Sequence, residues 1–141
     1  MTIKHLLIGL GVLVIIIALV IIYRRVPQKL NQKKIEAQWK KIQSYCREKA
    51  NWPKALEESD KLLNRCLKKR RFKGKSMGEK MVSAQRLLSD NDGLWYAHNL
   101  YKKLRDNQTK KLRESDLKVA LVAYRQALRD LGGLSNNDGK K

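Results

Sequence analysis

The chain has 141 residues, room for one apolar anchor and one small domain but not for a second core. Gly is 8, Pro is 2 and aromatic residues are 6%; few chain breakers beside many Lys, Leu, Ala, Gln and Arg favour long helices over sheet. The formal net charge of +19 either draws nucleic acid, anionic lipid or acidic protein surfaces or merely keeps the chain soluble, and it says nothing about fold.

Leu6 to Tyr23 reads LLIGLGVLVIIIALVIIY, without a charge. At the helical rise this spans roughly 27 Å, close to the hydrocarbon thickness of a bilayer, where only a helix satisfies its own backbone as a single span. A cleaved signal peptide needs a positive leading segment, a shorter apolar core and small residues at the cleavage site. The run ends instead in Ile21-Ile22-Tyr23-Arg24-Arg25. Lys4 and His5 precede the span, whereas Arg24, Arg25, Lys29, Lys33 and Lys34 follow it. The positive-inside rule therefore places residues 1–5 outside and the following domain on the cytoplasmic face of the inner or plasma membrane. Gly9 and Gly11 form no G-x-x-x-G dimerisation motif.

Val26-Pro27 breaks the chain after the span. Ile35, Trp39, Ile42 and Cys46 then recur on one helical face, predicting a helix over 28–49. Its remaining faces are basic, so residues 24–50 read as a juxtamembrane stalk, with Trp39 and Trp52 packing it onto a bundle over 51–134. Asn51-Trp52-Pro53 is a cap followed by an early proline, opening a helix to about Arg70 that buries Leu56, Ser59, Leu63 and Cys66. Lys68 to Lys75 is a basic loop. Ser76-Met77-Gly78-Glu79 is a capping box, and the helix it opens buries Met77, Met81, Ala84 and Leu88. Ser89-Asp90-Asn91-Asp92 turns the chain into a helix over 93–106 with Leu94, Ala97, Tyr101 and Leu104 on one side. Ser115 caps the last helix, which shows Leu117, Ala120 or Leu121, Tyr124, Leu128 and Leu131 on its face and stops at Gly132-Gly133. Residues 135–141 read as a disordered polar tail. No period-two alternation competes. The expected fold class is all-α, a single N-terminal transmembrane helix followed by a four- to five-helix up-and-down bundle.

Cys46 and Cys66 form no CxxC and no Cys/His cluster, so no zinc site or other cofactor is expected, and each falls on an apolar stripe as a small hydrophobe. A disulfide would need an oxidising compartment, against the cytoplasmic orientation.

The order WPKALEESDKLLNRCLKKRRFKGKSMGEKMVSAQ, LWYAHNLYKKLRD, ALVAYRQALRDLG, over Trp52–Leu134, resembles the small bacterial membrane-anchored HEPN-like helical-bundle proteins. Lys73-Gly74-Lys75-Ser76-Met77-Gly78-Glu79 is the most specific piece of that resemblance. The resemblance implies a helical bundle, a homodimer paired through the motif-bearing helices, and descent from metal-independent RNases with an Arg-x(4–6)-His motif. In that chemistry His shuttles protons and Arg steadies the scissile phosphate. The motif would fall on Tyr101-Lys102-Lys103-Leu104-Arg105-Asp106, with Tyr101 at the Arg position and Asp106 at the His position. Tyr supplies no bidentate cation and an ionised Asp repels phosphate, so no catalytic residue is expected.

Of the two histidines only His98 lies in the domain. As a base it has no visible partner, and the structural reading is a helix-face residue with one hydrogen bond. Asp60 reads either as a buried acid paired with a basic residue of Tyr101–Arg105 or as a solvated acid. Trp95 reads as core or as a dimer contact. Lys68, Lys69, Arg70, Arg71, Lys73 and Lys75 surround Phe72, an arrangement suited to gripping RNA with Phe72 stacked on a base or to facing anionic lipid. The plain alternative is a solvated loop with Phe72 plugging the bundle. The expected function is a membrane-tethered, non-catalytic module that binds or scaffolds a protein partner. The alternatives are an RNA-binding protein or divergent RNase using Lys102, Arg105 and residues 68–75, and a lipid-apposed structural protein.

Overall fold

The computed structural model describes residues 2–108 and 111–136, and among them it is all-helical, without a strand. The expected tail of 135–141 lies largely outside the described residues. Helix α1, Ile3–Arg25, is exposed along its whole length and is long and apolar enough to cross a membrane. It starts before the uncharged stretch and takes in Arg24 and Arg25 at its end.

Helix α2 covers Gln32–Tyr45, shorter than the span of 28–49 that its periodicity suggests. Residues 26–31 link α1 to it. Asn31 Oδ1 accepts the Lys34 N–H at 3.3 Å and starts the helix there. The link is seated, with Leu30 buried and the Gln28 N–H donating to the Lys69 carbonyl at 3.2 Å. Ile35, Trp39 and Ile42 enter the same core as the other helices, so α2 is a bundle helix packed on the next one rather than a stalk.

A 3₁₀ turn, Lys49–Asn51, leads into α3, Trp52–Lys69. Asn51 stands at the cap position, but its side chain makes no capping bond; its amide donates to Glu48 Oε2 at 3.3 Å. The corner is held instead by the Trp52 indole N–H on the Cys46 carbonyl at 2.9 Å. Helix α3 touches every other bundle helix and buries Ala55, Leu56, Leu62, Leu63, Cys66 and Leu67. That broad apolar face is what a central helix needs.

Three helices end on the same device. The first is α3, where the Phe72 N–H reaches the Leu67 carbonyl at 3.1 Å and the Arg71 N–H reaches Lys68 at 3.0 Å. The middle residue of such an ending is left-handed and is usually glycine. Here it is Arg71, with φ 65°, a conformation that costs an L-residue about 1–2 kcal/mol. Asn107 and Gly132 hold the matching positions after the last two helices, α5 and α6.

Helix α4, Met77–Ala84, opens on the capping box. Ser76 Oγ accepts the Glu79 N–H at 3.2 Å, and Glu79 Oε2 accepts the Lys75 N–H at 2.6 Å and the Ser76 N–H at 3.4 Å. Ser83 Oγ donates to the Lys73 carbonyl at 2.6 Å. The segment 73–76 is thus bonded onto its own helix. It comes so close that a Cβ on Gly74 would stand 2.7 Å from Glu79 Cβ, and Gly74 also has φ 149°. The helix stops before Leu88, which is buried in the following turn, where the Asn91 amide takes the Gln85 and Leu88 carbonyls at 3.0 and 3.1 Å.

Helix α5, Asn91–Arg105, is capped by Asp90, whose Oδ1 accepts the Gly93 N–H at 2.9 Å. Helix α6, Glu114–Asp130, starts at Arg113 rather than at Ser115, and no side chain caps it. Buried Leu112 sets its entry, and Glu114 and Asp116 place negative charge in its first turn.

Gly74→Ala is expected to destabilise the full chain by about 1–3 kcal/mol, since both the torsion and the close approach exclude a side chain. Exposed Val122→Ala should stay within about 0.5 kcal/mol. Denaturant unfolding of the two variants in detergent checks both.

Candidate functional site: a buried Asp–His–Tyr network beside a cationic groove

Asp60 sits mid-helix on α3 and is 5% exposed. A carboxyl group taken out of water has to recover its lost hydrogen bonds inside the protein. Asp60 Oδ1 does so twice. It accepts from His98 Nδ1 on α5 at 2.8 Å and from the Tyr124 hydroxyl on α6 at 2.7 Å. The acid is therefore neither solvated nor paired with the basic end of α5. Its partners are a histidine and a tyrosine that arrive from two other helices.

His98 makes the one hydrogen bond its helix-face position suggested. Its ring meets the Trp95 ring edge-on, 6.2 Å between centroids. The nitrogen not held by Asp60 is Nε2. Burial pushes the Tyr124 phenol pKa up, and the adjacent Asp60 carboxylate adds to the shift. Tyr124 is thus held as a neutral donor.

Next to this network lies a groove of about 730 Å³ between α3, α4 and α5. Its lining joins buried Met77 and His98 and half-buried Trp95 and Tyr101 to exposed Val82, Lys61, Glu79, Lys102 and Arg105. Trp95 packs over Gly78, where a Cβ would come within 3.2 Å of the indole, so the groove shape depends on a bare backbone there. On the α3 side, Lys80 Nζ donates to Asn64 Oδ1 at 2.8 Å and ties α4 to α3.

Of the degenerate motif positions, Tyr101 and Lys102 line the groove. Tyr101 is half-buried, with the Arg105 guanidinium 5.8 Å above its ring. Asp106 is exposed and accepts from Arg105 Nε at 3.1 Å. Lys102 is exposed. Nothing in the sequence linked Asp60 to Tyr124. A lone acid among apolar positions of α3 was the only signal for the network.

The basic segment is more ordered than a solvated loop. Lys68 and Lys69 form the exposed last turn of α3, favourably placed at the negative end of its dipole. Arg70 is the half-buried C-cap, and Arg71, Lys73 and Lys75 are exposed. Phe72 packs against the core, so it does not stand among the cations as a free stacking platform. Arg71 instead lines a cleft with Leu19, Val20, Tyr23 and Arg24 of α1.

Both cysteines are free thiols, and burial pushes the Cys66 thiol up to about 11. Among the described residues no group of three or more His, Cys, Asp or Glu could hold a metal ion. No family model, curated protein or solved structure matches the chain.

Asp60→Ala, which strands two buried polar partners, is expected to cost about 3–5 kcal/mol, and Tyr124→Phe about 1–3 kcal/mol; thermal unfolding measures both. Folding also favours the protonated Cys66 thiol. That contribution is complete below the ordinary thiol value of 9.0 and is lost as pH rises toward about 11. Stability should therefore fall across that window, on the order of 2 kcal/mol from this group, and Cys66→Ala should flatten the fall. An unchanged slope in Cys66→Ala would contradict the assignment.

Proposed function

We propose that this chain is a membrane-tethered, non-catalytic helical module of the HEPN-like kind that binds or scaffolds a protein partner at the cytoplasmic face of the inner or plasma membrane. The apolar length of α1 and the cations that follow it support the tether and its orientation. The observation that carries the binding role is the groove, whose lining joins apolar Met77, Val82 and Trp95 to the cations Lys61, Lys102 and Arg105. A surface of that kind suits an acidic segment bearing an apolar or aromatic anchor.

The motif positions speak against nuclease chemistry of the expected kind. His98 is held through Nδ1 by a carboxylate that also holds Tyr124, which ties α3, α5 and α6 together. Tyr101 stands at the Arg position, and at the His position stands Asp106, exposed and bonded to Arg105 Nε at 3.1 Å.

The test uses the full chain in nanodiscs. It is titrated with a fluorescent Asp/Glu-rich peptide carrying one Trp and with a single-stranded RNA of equal charge, over a salt series. Peptide binding should weaken at least about tenfold in the Lys102→Glu, Arg105→Glu double variant, and the RNA should remain uncut. RNA cleavage that disappears in His98→Asn would overturn the reading.

A further inference from the structure

Where α1 leaves its apolar stretch, it meets the end of α3. The Gln28 N–H bonds the Lys69 carbonyl at 3.2 Å, and Leu30 is buried two residues later, so the link cannot swing freely. Beside this corner, Arg71 shares an open cleft of about 630 Å³ with Leu19, Val20, Tyr23 and Arg24 of α1, all of them exposed.

We propose that this cleft binds the phosphodiester headgroup of one anionic membrane phospholipid, with an acyl chain lying along Leu19 and Val20. The proposal rests on the reading of α1 as a membrane span. The order of the lining groups is that of a phospholipid. Leu19 lies four and five residues, roughly 6–7.5 Å, deeper along α1 than Tyr23 and Arg24. An apolar wall therefore sits beneath a polar mouth, at the level where headgroups lie.

The mouth offers two guanidinium groups and a phenol. Arg24 and Arg71 are in none of the ion pairs formed among the described residues. Two planar forks facing one space match phosphate oxygens better than they match each other, since like charges brought together without an anion repel. Arg71 also holds a left-handed backbone at a position where glycine is the usual residue. Its backbone role there, ending α3 through the Lys68 carbonyl, needs no side chain. The guanidinium is what an arginine adds at that point. Lys68, Lys69 and Lys73 are not in the lining, so they raise the general potential toward an anionic surface without selecting a single lipid.

The full chain is purified in mild detergent with phosphatidylglycerol or phosphatidylcholine added, and bound lipid is counted by native mass spectrometry. Wild type should retain one phosphatidylglycerol and no phosphatidylcholine. Arg71→Gly keeps the left-handed turn and is expected to unfold at the same or a higher temperature, yet it should lose retention at least tenfold; Arg24→Gln should lose it likewise. Millimolar inorganic phosphate or water-soluble glycerophosphoglycerol should displace little of the lipid, because neither uses the apolar wall. Equal retention in Arg71→Gly, or full displacement by either soluble phosphate, would overturn the lipid site. Flotation with liposomes separates this from the anchor. Both wild type and Arg71→Gly should float, and a wild type that stays in solution would overturn the span and the lipid site together.

Discussion

The architecture depends on one carboxyl group. Asp60 lies inside the bundle and satisfies itself with the imidazole of α5 and the phenol of α6, both on the same oxygen. Apolar packing is tolerant of small shifts, whereas two hydrogen bonds of 2.7 and 2.8 Å on one atom are not. The network therefore sets how α5 and α6 sit against α3, and with them the width of the groove that α3, α4 and α5 enclose. It also commits the domain's one histidine to architecture. The groove keeps cations and an indole, groups suited to holding a partner.

Much of the helical plan was legible because it rests on local chemistry. The capping box at Ser76 and Glu79, the glycine stop at Gly132 and the four-three-four spacing of Ile35, Trp39, Ile42 and Cys46 each act within a few residues of themselves. Errors arose where a distant group decided. Asn51 is a good cap by type, yet the corner is closed by Trp52 reaching back to Cys46. The fourth helix ends early, where Asn91 takes the Gln85 and Leu88 carbonyls of the turn that follows it. Residues 28–31 share the basic, helix-prone character of α2, but the bond from Gln28 to Lys69 holds them as a link. The candidate site was less legible. Asp60 stood out as an acid among apolar positions, while its partners lie 38 and 64 residues away, beyond any pattern read along the chain.

The basic segment shows how charge and packing divide labour. Phe72 turns inward to close the end of α3, which leaves the cations around it as a purely electrostatic surface. The same helix ending that packs Phe72 on the core leaves Arg71 lining a cleft with the end of α1. The end of α1 and the bundle are thus joined by a backbone bond at one corner. The groove, built from the middle of α3 with α4 and α5, is a separate surface.

A double-mutant cycle of Asp60→Ala and Tyr124→Phe, measured by denaturant unfolding of the full chain, tests the central claim most directly. If the buried carboxyl organises the bundle, the two substitutions couple by about 0.5–3 kcal/mol, because each removes the other's partner. If their effects simply add, within about 0.5 kcal/mol, the network is incidental to the fold and His98 is free for another role.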